Sequence, residues 1–493
     1  MGLEMLFLFT PFIVLLFGLL SERLKLRYIR ETAAIILSFY GLLSVIYLYN
    51  LVQSSPNKIL LVTLGYAPPL GACLEIDMLS IYMAFSASLL GFFATLYSVN
   101  YMRHDTRLTE YYTLLSSLVI SIIGVAFAGD FLTFFVFWEL MGISSYVLVA
   151  FRKDNWGPIE AGFKYMVMGA IGSTMLLLGI ALIYGMAGTV NFAEVSFALR
   201  GKPTNLWYMI ALIVFTVGFG VKSAIVPLHT WLPDAHPEAP SPISAMLSGI
   251  LIETALYGLT RMLYMVFDTS VFMLMVAGLA VVTMTFANVV AVLQTDLKRM
   301  LAYSSIAQVG YMLVGVAAGS TYGLMALFLH IFNHSIMKGL AFLSAGSIIE
   351  ETGSRDIEKM RGIAKAMPLT SFAMFIALLG LCGIPGTSGF ISKFLLFGSA
   401  MDSGLWWLTI IGVLNSALSM VYYLRVMKAL IGKPSEALQN AKEAPPLMLG
   451  VTVAMATIII IFGVYPTPLI EYATQAARAL TINLPNYIKV IIP

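Results

Sequence analysis

Gly218-Phe219-Gly220-Val221-Lys222-Ser223-Ala224-Ile225-Val226-Pro227 sets a lysine in an apolar run and a proline five residues beyond it. Pro227 has no N–H to offer the carbonyl of Ser223 and its ring pushes against that carbonyl, so a helix carrying Lys222 must break beside it. Broken backbone at membrane depth survives only where it is buried in protein or lines a wet cavity. In Gly383-Ile384-Pro385-Gly386-Thr387-Ser388-Gly389-Phe390 the same chemistry frees the carbonyl of Leu381, and Lys393 follows in the same apolar segment. Lys338, Glu139 and Glu253 also lie inside segments long and apolar enough to cross a bilayer. A charge kept at such a place is a functional-site candidate by default.

The whole composition agrees with a membrane reading. The 493 residues are 59% hydrophobic and 11% charged, with a mean hydropathy of +0.90, against roughly 25% charged residues in a soluble chain. Fourteen apolar segments approach the length of about 20 residues that spans a bilayer. They cover 4–20, 32–53, 79–101, 112–129, 131–151, 161–187, 205–228, 242–266, 271–294, 300–319, 321–349, 368–400, 405–431 and 446–466. The expected fold is an all-α polytopic membrane protein in a single membrane domain, 1–493. The first segment lacks a basic leader and is followed by Arg23, Lys25, Arg27 and Arg30, so it reads as a retained helix rather than a signal peptide. Residues 467–493 suit a short interfacial helix or an ordered tail. Cys73 and Cys382 read as inert packing residues, and the formal charge of +3 gives no pointer to nucleic acid.

Of the 28 basic residues, 18 fall in loops after odd-numbered segments and five in the opposite loops and tail. Since cytoplasmic loops hold the excess of Lys and Arg, both termini are expected outside. Lys222 and Lys393 stand five spans apart, and corresponding Gly/Pro-interrupted spans in two halves of a transporter point to its ion path. The expected layout is therefore N-terminal helices at 1–111, a five-helix unit at 112–266, an inverted second unit at 267–431, and a last helix and tail at 432–493.

The run His229-Thr230-Trp231-Leu232-Pro233-Asp234-Ala235-His236-Pro237-Glu238-Ala239-Pro240-Ser241-Pro242 after Lys222 resembles the signature of antiporter-like membrane subunits. These are shared by respiratory complex I, Mrp-type cation/proton antiporters and energy-converting membrane-bound hydrogenases. Trp138-Glu139-Leu140, Leu329-His330-Ile331-Phe332-Asn333-His334 with Lys338, and Gly383-Ile384-Pro385-Gly386 with Lys393 support it, and the resemblance extends over roughly residues 75 to 430. In size the chain is similar to the Mrp D-type and hydrogenase H-type subunits. The resemblance implies fourteen helices with an inverted repeat and a Glu139–Lys222 ion pair. It also implies an exit role for Lys393 and an ion-pumping place in an oxidoreductase complex whose chemistry is done elsewhere.

Each candidate has a rival explanation. Glu139 either switches with Lys222 or forms a structural ion pair that only fixes packing. Taking Lys222 out of water favours its neutral amine and a carboxylate nearby favours its ammonium, so a Glu139 that moves would make Lys222 release a proton; the rival is a snorkelling lysine. His330, His334 and Lys338 form a stripe about 80° wide and roughly 12 Å long on one helix, which suits proton stations or satisfied core histidines. A zinc site is a further alternative, although Ile331 stands where a metalloprotease motif has its glutamate. Lys393 is an exit lysine or a snorkelling one. Glu253 occupies a place where many relatives carry lysine or histidine, and with Tyr257 and Arg261 at helical spacing it is a relay group or half of a Glu253–Arg261 structural network. His229, Asp234 and His236 are gate candidates in a loop whose four prolines equally suit a rigid turn. Asp77 and Asp296 read as helix caps.

No phosphate loop, dinucleotide fingerprint, haem or iron–sulfur pattern is present in the sequence, so no cofactor is argued for this chain. The leading expectation is a proton- or Na⁺/H⁺-translocating subunit of a larger redox-driven or Mrp-type complex in an energy-transducing cell membrane. Its partners are other membrane subunits, through them a soluble redox module, and lipid. A stand-alone secondary antiporter and a transport-inactive scaffold are the alternatives.

Overall fold

The computed structural model describes residues 3–26, 28–64, 66, 71–201, 205–433 and 441–491. The chain opens with a 3-10 stretch, Leu3–Phe9, leading into α1 (Thr10–Leu24), followed by α2 (Ile29–Ser54). An antiparallel hairpin then pairs β1 (Ile59–Leu64) with β2 (Ala72–Asp77), with Ile59 opposite Asp77 and Leu64 opposite Ala72. Next come α3 (Met78–Tyr101), α4 (Leu108–Phe127), α5 (Phe131–Val149), α6 (Trp156–Ala187), the short α7 (Phe192–Leu199) and α8 (Leu206–Lys222). The signature run folds as α9 (Leu232–Glu238). After it α10 (Ser241–Met246) passes through a π-helical turn at Leu247–Leu251 into α11 (Ile252–Val266). The second half holds α12 (Thr269–Leu293), α13 (Leu297–Ala317), α14 (Thr321–Thr352), α15 (Pro368–Cys382), α16 (Ser388–Asp402) and α17 (Trp406–Leu430). The chain closes with α18 (Pro446–Val464), α19 (Thr467–Leu480) and α20 (Leu484–Ile491).

The molecule is an all-α polytopic membrane protein. Among the described residues, 12 helices are long and apolar enough to cross a membrane, or 13 if Ile357–Lys365 and Pro368–Cys382, bent by 119°, count as one span. This falls short of the fourteen continuous segments expected, and the shortfall lies where proline interrupts the backbone. Segment 205–228 ends as a 17-residue helix at Lys222, and segment 368–400 divides into α15 and α16 around Gly383–Thr387.

Several helices are capped by the Asp, Asn or Ser before them, because the first N–H groups of a helix have no partner within it. Asp77 forms a capping box with Ser80 at α3, Asp130 accepts from Leu132 and Thr133 at α5, and Asp296 accepts from Arg299 at α13. Asp77 and Asp296 are thus the caps the sequence suggested. Every residue of α11 is buried, as are nearly all of α13 and the body of α14. Around them α1, α2, α6, α17 and α18 expose large apolar side chains such as Phe12, Ile36, Phe163, Val413 and Ile461, as lipid-facing helices do. Glu253, Arg261 and Lys338 lie on these central helices, and Lys222 and Lys393, on α8 and α16, are buried as well.

The two faces differ. One carries the β1–β2 hairpin, the start of α7, which bridges to Asp130 through Asn191, and α20. The other carries α9 and the bridge between Asp296 and Asp356, drawn together by Arg355 on Glu238 and Asp296. The tail expected at 467–493 is a structural part of the fold. Its α19 lies against α3 and α14, and α20 lies against α7.

Candidate functional site

Lys222 ends α8. Ala224 takes a left-handed conformation and Ile225 bonds back to Gly220 O at 2.9 Å, so the chain turns away immediately after the lysine. Trp231 of the signature run holds this end by donating to Val221 O at 2.7 Å while stacking on Tyr165 with ring centroids 3.9 Å apart. The buried Lys222 amine donates to Trp138 O at 3.3 Å and lies over the rings of Trp138 at 4.6 Å and Tyr146 at 5.6 Å. Gly142 makes room for it, since a Cβ there would come within 2.9 Å of both the amine and the Tyr146 hydroxyl.

The Glu139–Lys222 ion pair implied by the resemblance is absent. Among the described residues no salt bridge joins them, and Glu139 Oε1 is buried without a hydrogen-bond partner. The lysine is met by a carbonyl and two aromatic faces, which attract a cation, with the carboxylate close enough to act only through its field.

The α14 stripe meets partners from three helices, α11, α13 and α16. His334 Nδ1 hydrogen-bonds Glu253 Oε1 of α11, and among the described residues His334 Nε2 and Glu253 Oε2 have no partners. Glu253 therefore belongs with the histidines. The Glu253–Arg261 network considered from the sequence is not formed, because Arg261 turns to Glu75 at 3.9 Å and to Tyr257 Oη at 2.7 Å. Lys338 donates to Leu301 O at 2.9 Å and to Ser304 Oγ. The ring of His330 lies 6.1 Å from that of His334. His330 Nδ1 pairs with Ser392 Oγ at 2.8 Å and Nε2 with Gln308 Oε1 at 3.1 Å.

From His330 a hydrogen-bonded line continues to Lys393. Gln308 Nε2 donates to Leu381 O at 3.2 Å, and the Lys393 amine donates to the same carbonyl at 2.6 Å. This is the oxygen that Pro385 frees. Because the Gln308 nitrogen serves Leu381, its oxygen accepts from His330 Nε2, and a neutral His330 then accepts the Ser392 hydroxyl proton at Nδ1. Lys393 also reaches Ser416 Oγ at 3.2 Å and lies 4.8 Å from the Tyr311 ring centre. Lys393 is buried, so snorkelling is not its conformation. His330 and His334 are engaged by Ser392, Gln308 and Glu253, and among the described residues no three His, Cys, Asp or Glu side chains are grouped to hold a metal ion.

The signature run forms the floor of a polar cavity of about 470 Å³. Asp234 pairs with Lys164 at 3.1 Å and Arg299 at 3.4 Å, and Arg355 spans Glu238 at 2.9 Å and Asp296 at 3.1 Å. His236 is buried, its ring stacked on Phe342 at 4.7 Å, and among the described residues neither ring nitrogen has a hydrogen-bond partner. His229 packs on Phe286 at 5.0 Å, its Nδ1 unpartnered. Asp234 is thus held in surface ion pairs, apart from the two histidines.

Sequence reasoning missed Gln308, Ser392, Ser304 and Glu75. A glutamine in the otherwise apolar Ile306-Ala307-Gln308-Val309 was the one available signal, since a buried amide needs partners. Glu75 sits in β2, fully buried beside Arg261, Asn191 Nδ2 at 3.4 Å and the Tyr487 hydroxyl of α20. Burial pushes its carboxyl up to about 7 against the pull of Arg261.

A family model described as "NADH:quinone oxidoreductase/Mrp antiporter, TM" matches residues 128–419, and one for the N-terminus of complex I chain 5 matches residues 69–112. The chain is 34% identical over 422 residues to F(420)H(2) dehydrogenase subunit N of Methanosarcina mazei, covering 83% of this chain and 85% of that one. It is 35% identical over 371 residues to NADH-quinone oxidoreductase subunit N of Moorella thermoacetica, covering 75% and 78%. Among solved structures, a chain of the archaeal membrane-bound sulfane sulfur reductase superposes with a TM-score of 0.92 at 29% identity, covering 99% of both chains. A chain of the Mrp complex from Dietzia sp. shares the fold at a TM-score of 0.90 and 24% identity, covering all of both chains.

Proposed function

Because the chain belongs to the NADH:quinone oxidoreductase/Mrp antiporter transmembrane family, we propose that it translocates protons along a line running from Glu253–His334 through His330 to Lys393. It is an antiporter-like membrane subunit of a multisubunit energy-transducing complex, seated with other membrane subunits that connect it to a redox module. The redox cofactors belong to other subunits in this reading, and this chain supplies only the path. Lys222, in the field of Glu139, is the switch: displacement of the carboxylate changes whether the buried amine holds its proton. The buried His236 and Lys338 lie between the polar cavity and the central pair and form the inlet. The broken helices α8 and α15–α16 are counterparts in two inverted five-helix units, 112–266 and 267–431, and both termini face outward.

The observation that carries this reading is the shared Leu381 carbonyl, which joins Gln308 and Lys393 and so ties His330 to the break in the second half. Its proton-exchanging stations are imidazoles, amines, a carboxylate and hydroxyls, which favours H⁺ over Na⁺, while the Gln308 amide and the Leu381 carbonyl hold His330 and Lys393 in register without themselves exchanging a proton. The test is ion pumping in inverted vesicles of the intact complex carrying Lys222→Ala or Lys393→Ala, with assembly verified and pH and Na⁺ gradients followed separately. Loss of the pH gradient alone is expected. Loss of the Na⁺ gradient alone would reassign the ion, and unchanged pumping in both variants would leave a scaffold.

A further inference from the structure

The polar stripe of α11 continues beyond the central pair. Glu253, Tyr257 and Arg261 stand at i, i+4 and i+8, so they share one side of the helix over roughly 12 Å and lead from mid-membrane to the hairpin face. This route is independent of Lys393. A proton leaving Glu253 along it would bypass His330 and Lys393 and dissipate the gradient.

What stands in that route is a guanidinium, which stays charged in proteins. Arg261 is 1% exposed. It donates to Ala126 O at 3.1 Å and to Tyr257 Oη at 2.7 Å, and Tyr257 in turn donates to Ala126 O at 2.9 Å. The Phe192 ring lies 5.3 Å from its Cζ, and Glu75 faces it at the looser distance of 3.9 Å, itself capped by the Tyr487 hydroxyl. Among the described residues its Nε has no hydrogen-bond partner. A buried cation held mainly by a carbonyl, a phenol and a ring keeps much of its field. Positive fields of this kind exclude protons and cations from polar pores.

We propose that Arg261, clamped under the hairpin by Tyr257, Ala126 and Glu75, is an electrostatic seal that closes the short polar route from Glu253 to the hairpin face and confines protons to the Lys393 branch. This rests on the reading of Glu253 as a proton station. The hairpin and α20, which bury Glu75, are then parts of the seal as well as of the fold. Arg261 acts here as a barrier and never carries the proton.

The experiment is passive decay of an imposed pH gradient, with no energy source, across proteoliposomes holding the intact complex. Arg261→Gln keeps a polar side chain that can still reach Ala126 and Tyr257 but removes the charge. It is expected to leak at least about tenfold faster than wild type, and adding Glu253→Gln is expected to return the leak to the wild-type rate. A tight Arg261→Gln complex would overturn the proposal, and so would a leak that Glu253→Gln leaves unchanged. If the Gln variant does not assemble, Arg261→Lys retains the charge and is expected to stay tight, so a leaky Lys variant is equally fatal. Turnover-driven pumping by Glu253→Gln alone is measured in parallel. Unchanged pumping there removes Glu253 from the path, a failure of the proposed function that the leak assay reads separately.

Discussion

Gln308→Leu removes both hydrogen bonds of the linking amide, to His330 and to Leu381 O, without opening a cavity. The two side chains are close in volume, so the packing of α13 against α14 and α16 is retained and the loss is confined to hydrogen bonds. Leu381 O keeps the Lys393 amine at 2.6 Å, so that carbonyl is not orphaned. His330 loses its partner at Nε2, which was 3.1 Å away, and keeps only Ser392 at Nδ1. A buried donor left without a partner costs about 1–3 kcal/mol. If that cost falls on the state in which the proton leaves His330 toward Lys393, pumping slows roughly five- to 150-fold at about 1.4 kcal/mol per decade. The assay is the initial rate of pH-gradient formation in inverted vesicles at matched electron-transfer rate, with assembly verified. Gln308→Glu restores an acceptor for His330 and is expected to recover part of the rate. A Gln308→Leu complex that assembles and pumps at the wild-type rate would refute the line through Leu381.

Glu253→Gln keeps a hydrogen bond to His334 but cannot titrate, so gradient formation is expected to fall at least about tenfold with assembly intact; the pumping assay checks this. Gly142→Ala puts a methyl 2.9 Å from the Lys222 amine and the Tyr146 hydroxyl. Both atoms end flexible side chains, so the fold is expected to survive while pumping drops several-fold, and wild-type pumping would show that the position of the amine is immaterial. Glu75 offers a pH test, since its folded carboxyl is pushed up to about 7 from an ordinary 4.5. The folded state holds that proton more tightly than the unfolded one, so the contribution is fully present below about 4.5 and is lost as pH rises through about 7. Melting temperature in detergent should fall between those values, more steeply in wild type than in Glu75→Gln, and parallel curves would contradict the assignment.

The fold was legible because charges and prolines are rare events in an apolar chain. Pro227 and Pro385 located both breaks, and Leu381 was identifiable in advance as an oxygen without its helical partner. The partners were not legible, because they depend on packing between helices far apart in sequence. Glu253 and His334 are 81 residues apart, and Gln308 and Leu381 73. The i, i+4, i+8 stripe correctly placed His330, His334 and Lys338 on one side of α14, but periodicity does not specify which neighbour that side meets. The expected Glu139–Lys222 pair failed for a related reason. Sequence puts a carboxylate near the lysine without fixing which acceptor the amine meets, and Trp138 O took the place. Glu75 was hidden because nothing in Ala72–Asp77 distinguishes a buried carboxylate from one on a surface hairpin.

These placements bear on how the proposed relay avoids trapping its proton. A lysine locked to a carboxylate at contact distance cannot give up its proton without leaving an uncompensated buried anion, and breaking such a pair costs about 3–5 kcal/mol. Neither Lys222 nor Lys393 is locked in this way. Lys222 rests on the Trp138 carbonyl and two aromatic faces, and Lys393 on the Leu381 carbonyl and the Ser416 hydroxyl. Neutral acceptors hold an ammonium in place, yet remain neutral when the amine loses its proton, so release strands no charge. The one carboxylate in direct contact with the line, Glu253, meets an imidazole instead, and a proton passing between those two groups converts an ion pair into two neutral ones. The relay therefore needs Glu139 only at field distance, close enough to bias Lys222 and far enough not to hold it. Adding a second carboxylate beside the amine, as Gly142→Glu would at a position whose Cβ stands 2.9 Å from it, is expected to hold the lysine charged and stop pumping while the complex still assembles; continued pumping in that variant would show that contact pairing is no obstacle.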